Sequence, residues 1–224
     1  MPKVFMSAGH GGSDPGAVAN GLKEKDINLT TMLACNEVLV RHGVSTILSR
    51  TKDENDPVQE EVREANASGA ELAVSFHANA GGGDGFEALI CSGSTKVKKL
   101  AQLAEKYVKE LGQNSRGIKT NNLMFTRDTT MTAVLFESFF LDNVKDKAIG
   151  DTVAEQKAFG VAYAKAILEY FGIAYKETKT ATSTSTTNKK LYRVQVGAYS
   201  VKANAEAMKT KLKKAGFEAV IVQS

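Results

Sequence analysis

No stretch of the 224-residue sequence stays apolar for the ~20 residues that a membrane-spanning helix requires, so membrane insertion is not expected. Near the start, no basic segment leads into a long apolar run with a small-residue cleavage site, and the sequence reads as one without a signal peptide. Tryptophan is absent and cysteine is scarce. Cys35 and Cys91 stand at no metal-ligand spacing, which leaves out a cysteine-held metal and suits a chain folded in a reducing compartment. A strong overall charge is missing too, but the modest net +4 is unevenly placed. From Tyr175 onward ten Lys/Arg face three Asp/Glu, a net +7, while the preceding residues hold 19 basic and 22 acidic side chains. A basic tail of this kind points to an anionic surface as its partner, or to a solvated lysine-rich helix.

What is present is an alternation of strands and helices. "KVFMSA" (Lys3–Ala8) reads as a buried strand. From Lys25 to His42 the apolar period is helical, with Ile27, Thr31, Ala34 and Val38 on one face and Gly43 as the stop. Val44–Arg50 reads as a strand, and Asp56–Ser68 as a helix with a proline and acids at its start. Glu71–Ala78, Gly85–Ser92 and Met131–Ser138 are apolar enough for buried strands. Helices are expected over Thr95–Leu111, with Val97, Leu100, Ala101, Ala104 and Val108 inward, and over about Asp146–Phe171. This order predicts an α/β fold with a twisted, mostly parallel sheet flanked by helices. Lys176–Lys190 is dominated by Thr and Ser, buries too little to offset its ordering entropy, and reads as a linker. After it, a strand, a helix with Ala205, Met208, Leu212 and Ala215 on one face, and a second strand make one βαβ unit. The expected divisions are 1–174, 175–189 and 190–224.

Four chemically capable residues fall on this map. His10 follows the first strand, Glu24 precedes the first helix, His77 ends "LAVSF" and Glu137 ends "AVLF". Ligands of open α/β sheets bind at the carboxyl ends of strands. "GHGGSDPG" is rich in glycine, but it is neither a dinucleotide nor a Walker fingerprint, and Asp14 would repel a phosphate. Two histidines and a carboxylate are the ligand set of catalytic zinc sites, and an unligated second carboxylate can serve as a base. The separation of residues 10, 24 and 77 carries no motif specificity, so metal site, phosphate loop and plain loop all stay open on spacing alone.

Three blocks, "FMSAGHGGSDPGAVANGLKEKDINL", "ELAVSFHANAGGG" with "GFEALI", and "MTAVLFESFFLDN", resemble the zinc-dependent N-acetylmuramoyl-L-alanine amidases of the Amidase_3 family. The likeness runs from about Lys3 to Gly172. It implies a catalytic domain that cleaves the amide between N-acetylmuramic acid and L-alanine in peptidoglycan, with Zn²⁺ on His10, Glu24 and His77 and with Glu137 as general base. It also suggests Asn79 and Asn121 for substrate contact. The sequence departs from the family at Thr132, where proline is common, and at "FFLDN" (Phe139–Asn143). His42, at a helix end before Gly43, reads as a structural imidazolium on the helix dipole. Cys35 reads as core, and Arg63 and Asn66 as residues that fix a helix against a loop. The tail resembles one half of a SPOR cell-wall-binding module, whose missing half a second chain could supply. The expectations are therefore a peptidoglycan amidase, an endolysin or mother-cell autolysin, made in the cytoplasm and reaching the wall by holin or lysis. Zn²⁺ is its cofactor, no nucleic acid is its partner, and residues 190–224 pair two chains. The rivals are a wall-binding protein without activity and a zinc-free nucleotide- or sugar-phosphate-binding α/β protein.

Overall fold

The computed structural model describes residues 1–91, 95–177, 196–197, 199, 201–214 and 220–221. The chain divides into two compact units, Met1–Glu177 and Thr178–Ser224. In the first unit the elements are β1 (Lys3–Ala8), β2 (Val18–Ala19), β3 (Leu22–Lys23), α1 (Glu24–Arg41), β4 (Ser45–Leu48), α2 (Val58–Ala67) and β5 (Leu72–Asn79). They continue with β6 (Phe86–Ile90), α3 (Thr95–Lys109), β7 (Ser115–Thr120), α4 (Met124–Asp128), β8 (Thr132–Phe140), α5 (Val144–Gly150) and α6 (Val153–Tyr170).

Six strands form one sheet in the order β4-β1-β5-β8-β6-β7. Side chains alternate across it, and each face is covered by helices. Val4, Met6 and Ala8 of β1, with Val74 and Phe76 of β5 and Phe136 of β8, join the core built on α1, α3 and α6. Phe5 and Ala73 point the other way, into a smaller core with Val62 and Ala65 of α2 and Phe125 of α4. Two-sided burial is why these strands are runs of apolar residues and not alternating ones. Each large buried side chain contributes about 1.5–3 kcal/mol. Helices α1 and α6 touch so closely that a Cβ on Gly160 would stand 2.3 Å from the Thr31 carbonyl oxygen.

Within the six-stranded sheet four of the five strand pairings are parallel, and β6 runs antiparallel to β8. The reason is the short link from β5 to β6 through Ala80–Gly85, because a parallel return needs a crossover of a dozen or more residues. The continuous helix expected over Asp146–Phe171 is instead two. Asn143 caps α5 by accepting from the Lys145 and Asp146 amides. Thr152 and Glu155 then form a reciprocal capping box that opens α6. Gly150, between them, lies against the Phe139 ring, where a Cβ would come within 2.4 Å.

Three elements escape the sequence reading. The β2–β3 hairpin turns on Asn20 and Gly21, both at positive φ (52° and 81°), the Asn-Gly signature of a tight hairpin. β7 and the five-residue α4 are the other two. In the second unit, α7 (Lys202–Lys214) matches the expected helix, and Ala205, Met208 and Leu212 are its half-buried residues. Of the two expected flanking strands, residues 191–195, 217–219 and 222 lie outside the described residues, as do Ala215 and most of the linker. The described Val196, Tyr199 and Ile221 belong to no strand and are partly exposed, and Val220 is more exposed still. Among the described residues, no helix is long and apolar enough to cross a membrane.

Candidate metal centre

His10, Glu24 and His77 converge, with one potential ligand atom from each lying within 4.8 Å of the others. Glu24 is not ahead of the helix but its first residue, and there its buried carboxylate faces the positive end of α1. Its Oε1 lies 3.2 Å from His10 Nε2 and 2.8 Å from His77 Nδ1, and its Oε2 accepts from the Ala17 amide at 2.9 Å. His10 sits in the left-handed region at φ 65°, a strained choice for a side-chain-bearing residue. Asp14 Oδ2 holds its other nitrogen, Nδ1, at 2.8 Å, which fixes the ring with Nε2 toward Glu24. The neighbouring glycines make room. A Cβ on Gly9 would fall 2.1 Å from the His77 ring, and one on Gly16 would fall 2.6 Å from Glu24 Oε2.

His77 and Glu137 are not at the very ends of their strands, which run on to Asn79 and Phe140. They are register partners on β5 and β8, so both carboxyl-edge groups rise from adjacent central strands on one face. Glu137 Oε2 is buried with no hydrogen-bond partner among the described residues. Burial pushes its carboxyl up to about 7. His10 is raised to about 9, first by its bond to Glu24 and then by Asp14, with burial acting against both. Burial pulls His77 down, yet the bond to Glu24 and the nearby carboxylates carry it up on balance. Burial pushes Glu24 up, but its two histidine partners outweigh that and hold it well below the usual carboxylate range. The pocket thus favours positive charge at the point where the three side chains meet. Two imidazoles and a carboxylate around that point, beside an unpartnered buried carboxylate oxygen, fit a divalent cation of zinc type.

Asn79 is tied to Glu87 of β6. Its Nδ2 donates to Glu87 Oε2 at 3.4 Å and its Oδ1 accepts from the Ala80 amide. Asn121 is not brought to this centre. It lies beyond the Ile90–Thr120 pair, at the level of Val134, three residues before Glu137 on β8. The "FFLDN" segment holds the loop beside the site. Asp142 accepts from the Gly81 and Gly82 amides, and Phe140 packs against Gly83.

His42 is structural: the Lys176 amide donates to its Nε2 at 2.8 Å, and its Nδ1 lies 2.7 Å from the Val38 carbonyl oxygen at the end of α1. Asn66 bridges α2 to the end of α4 through the Asp128 carbonyl and the Thr130 amide, whereas Arg63, among the described residues, pairs only with Glu60 and Glu64 of its own helix. Cys35 is buried core, and that burial raises its thiol. Sequence reasoning passed over Glu61, Glu87, Arg116 and Lys119, and weighed Asp14 only against a phosphate and not as a partner of His10. Glu87 was visible as the one charged residue inside an apolar strand.

The N-acetylmuramoyl-L-alanine amidase family pattern matches residues 4–169, and the SPOR domain pattern matches residues 161–223. The first residues of the second match lie in α6, whose Ala162, Tyr163, Ala166 and Ile167 are buried in the larger core. The chain is 33% identical over 226 residues to the sporulation-specific N-acetylmuramoyl-L-alanine amidase of Bacillus subtilis, covering 99% of this chain and 85% of that one. It is 41% identical over 175 residues to the endolysin of Bacillus phage SPP1, covering 71% of this chain and 64% of that one. Among solved structures, the catalytic domain of CwlV from Bacillus (Paenibacillus) polymyxa var. colistinus superposes with a TM-score of 0.72 at 31% identity, covering 78% of this chain and all of that one.

Proposed function

Given that the chain belongs to the N-acetylmuramoyl-L-alanine amidase family and is a peptidoglycan hydrolase, we propose that it works through a Zn²⁺ held by His10, Glu24 and His77, with Glu137 as its general base. The convergence of those three side chains, with Glu137 in register beside His77, carries the reading. A Zn²⁺ bound there supplies Lewis acidity toward the scissile carbonyl and toward water. The remaining steps fall to this chain's own residues. Asp14 keeps His10 turned so that Nε2 faces the centre. Glu137 takes a proton from the attacking water at its free Oε2 as the water oxygen bonds to the lactyl carbonyl carbon. The same carboxyl then returns that proton to the nitrogen of L-alanine as the C–N bond breaks. The burial that raises Glu137 suits this exchange, because a base and acid in one group works best near the operating pH.

The test combines metal analysis with two substitutions. Purified protein should carry about one zinc per chain. His77→Ala should lose zinc and activity together. Glu137→Gln should keep zinc and fold while the rate of muramoyl-L-alanine cleavage falls by ~10²–10⁴. Full zinc in His77→Ala removes the ligand assignment, and near-normal turnover in Glu137→Gln removes the base.

Residues 1–174 are read as the catalytic part, 175–189 as the linker and 190–224 as a wall-binding half-module. The SPOR match and the basic tail support binding of the anionic wall by that last part. Val196, Val201 and Val220, each more than half exposed, support pairing of two tails. Release through a holin or by lysis is the proposed route to the wall.

A further inference from the structure

We propose that Arg116 and Lys119 form a subsite for a carboxylate of the stem peptide, next to the scissile amide, on the β6–β7 side of Glu137. The inference rests on the reading that Glu137 marks the reacting centre. It starts from Glu87, which pairs directly with Glu137 across β6 and β8 and therefore shares its face of the sheet. Glu87 is buried, yet its Oε1 receives both Arg116 Nε and Lys119 Nζ, and its Oε2 receives Asn79. The backbone is shaped for this. The β6–β7 register shifts between Phe86 and Glu87, so that β7 holds Arg116 as an extra residue opposite that step, with Gly117 at φ 83°. A bulge of this kind re-aims a side chain, and here it brings Arg116 to the carboxylate that Lys119 also reaches.

One carboxylate cannot neutralise two cations, so the cluster keeps a net charge of +1. The arginine and lysine side chains remain 41% and 42% exposed, facing solvent on the rim beside the site. Among the described residues, Arg116 spends only Nε on a protein acceptor. Its terminal nitrogens are left as a planar pair of donors, which matches a carboxylate bidentately. The guanidinium is held in place by Glu87 below and by the Phe140 ring, 5.3 Å from its centre. Strands lie 4.7–4.9 Å apart, so β7 is about 10 Å from β8. An extended peptide covers about 3.5 Å per residue, and the guanidinium leans back toward Glu87. The carboxylate within reach is the one on the residue that follows L-alanine. In stem peptides that residue is a D-glutamate linked through its γ-carboxyl, leaving its α-carboxyl free or amidated.

The experiment compares two synthetic substrates, muramoyl-L-alanyl-D-glutamate and muramoyl-L-alanyl-D-isoglutamine, each with its γ-carboxyl capped as a methylamide, on the full-length zinc-loaded enzyme. Arg116→Gln should raise KM for the carboxylate substrate about tenfold or more, with kcat nearly unchanged and the amide substrate little affected. Lys119→Met, whose chain leaves the Phe140 contact alone, should act in the same direction and more weakly. It also keeps the test open if Arg116→Gln melts early. Equal losses on both substrates, or no loss on either, overturn the subsite. A diaminopimelate-containing substrate that alone shows the effect also overturns the assignment to the second residue. Failure of the Glu137 reading looks different, because Glu137→Gln would then turn over both substrates normally while the Arg116 discrimination persisted.

Discussion

His10, Glu24 and His77 show how a site can be absent from spacing and present in space. Fourteen and then 53 residues separate them, and only the block resemblance singled them out as ligands. The turn that joins them does the local work, with Asp14 fixing one ring and Gly9 leaving room for the other. Glu61 was invisible for the opposite reason, since a glutamate early in a helix reads as a dipole complement on the solvent side. In the structure it faces inward from α2, 3% exposed, with Ser7, Asp56 and more distantly His77 and His10 around it. Burial raises its carboxyl from about 4.5 to about 7. The unfolded chain releases this proton at lower pH than the folded one does. Glu61 therefore costs stability that is absent below about pH 4.5 and grows to its full size above about pH 7. That cost is on the order of 3 kcal/mol. Glu61→Gln should leave the melting temperature near wild type at pH 4.5–5 and raise it by several degrees at pH 8. A difference that stays constant across that range would show that Glu61 does not titrate there.

At the scale of elements, the buried strands were legible because apolar runs bounded by turns have few other readings. β1 matches to the residue, and β5, β6 and β8 shift by only one or two at either end. β7 was not legible. As the edge strand of the sheet it buries little, and "SRGIKT" shows neither alternation nor an apolar run. The direction of β6 was equally hidden, because it follows from loop length and from which strand β8 displaces. The break between α5 and α6 was written in the sequence, but in residues that are also tolerated inside a helix. Thr152 and Glu155 signal a start only when read together. Thr152→Ala should therefore destabilise the catalytic unit by about 1 kcal/mol, a fall in melting temperature of about 2–4 °C, without changing kcat. No shift in melting would mean that α6 is held by its packing on α1 and α3 without help from the cap.

For the whole molecule, the question is whether the tail acts as part of a single chain. Its apolar side chains at Val196, Val201 and Val220 are exposed, and a unit this small seldom stabilises itself without disulfides, metal or a partner. Light scattering at tens of micromolar should give a dimer for the full chain and a monomer for a version ending at Ala174. A monomeric full chain, or equal dimerisation of the shortened one, removes the pairing proposal. The sheet order carries a consequence of a different kind, one of timing. β8 occupies the slot between β5 and β6, although both are synthesised well before it. A nascent chain that has not reached Thr132 already owns His10, Glu24 and His77, but it has two open strand edges where Glu137, the proposed base, belongs. With Glu137 in its proposed role as base, a lytic enzyme wired in this way cannot begin to hydrolyse while it is still being made. The strand that closes its sheet is also the one that delivers Glu137, so activity and completion of the fold arrive together.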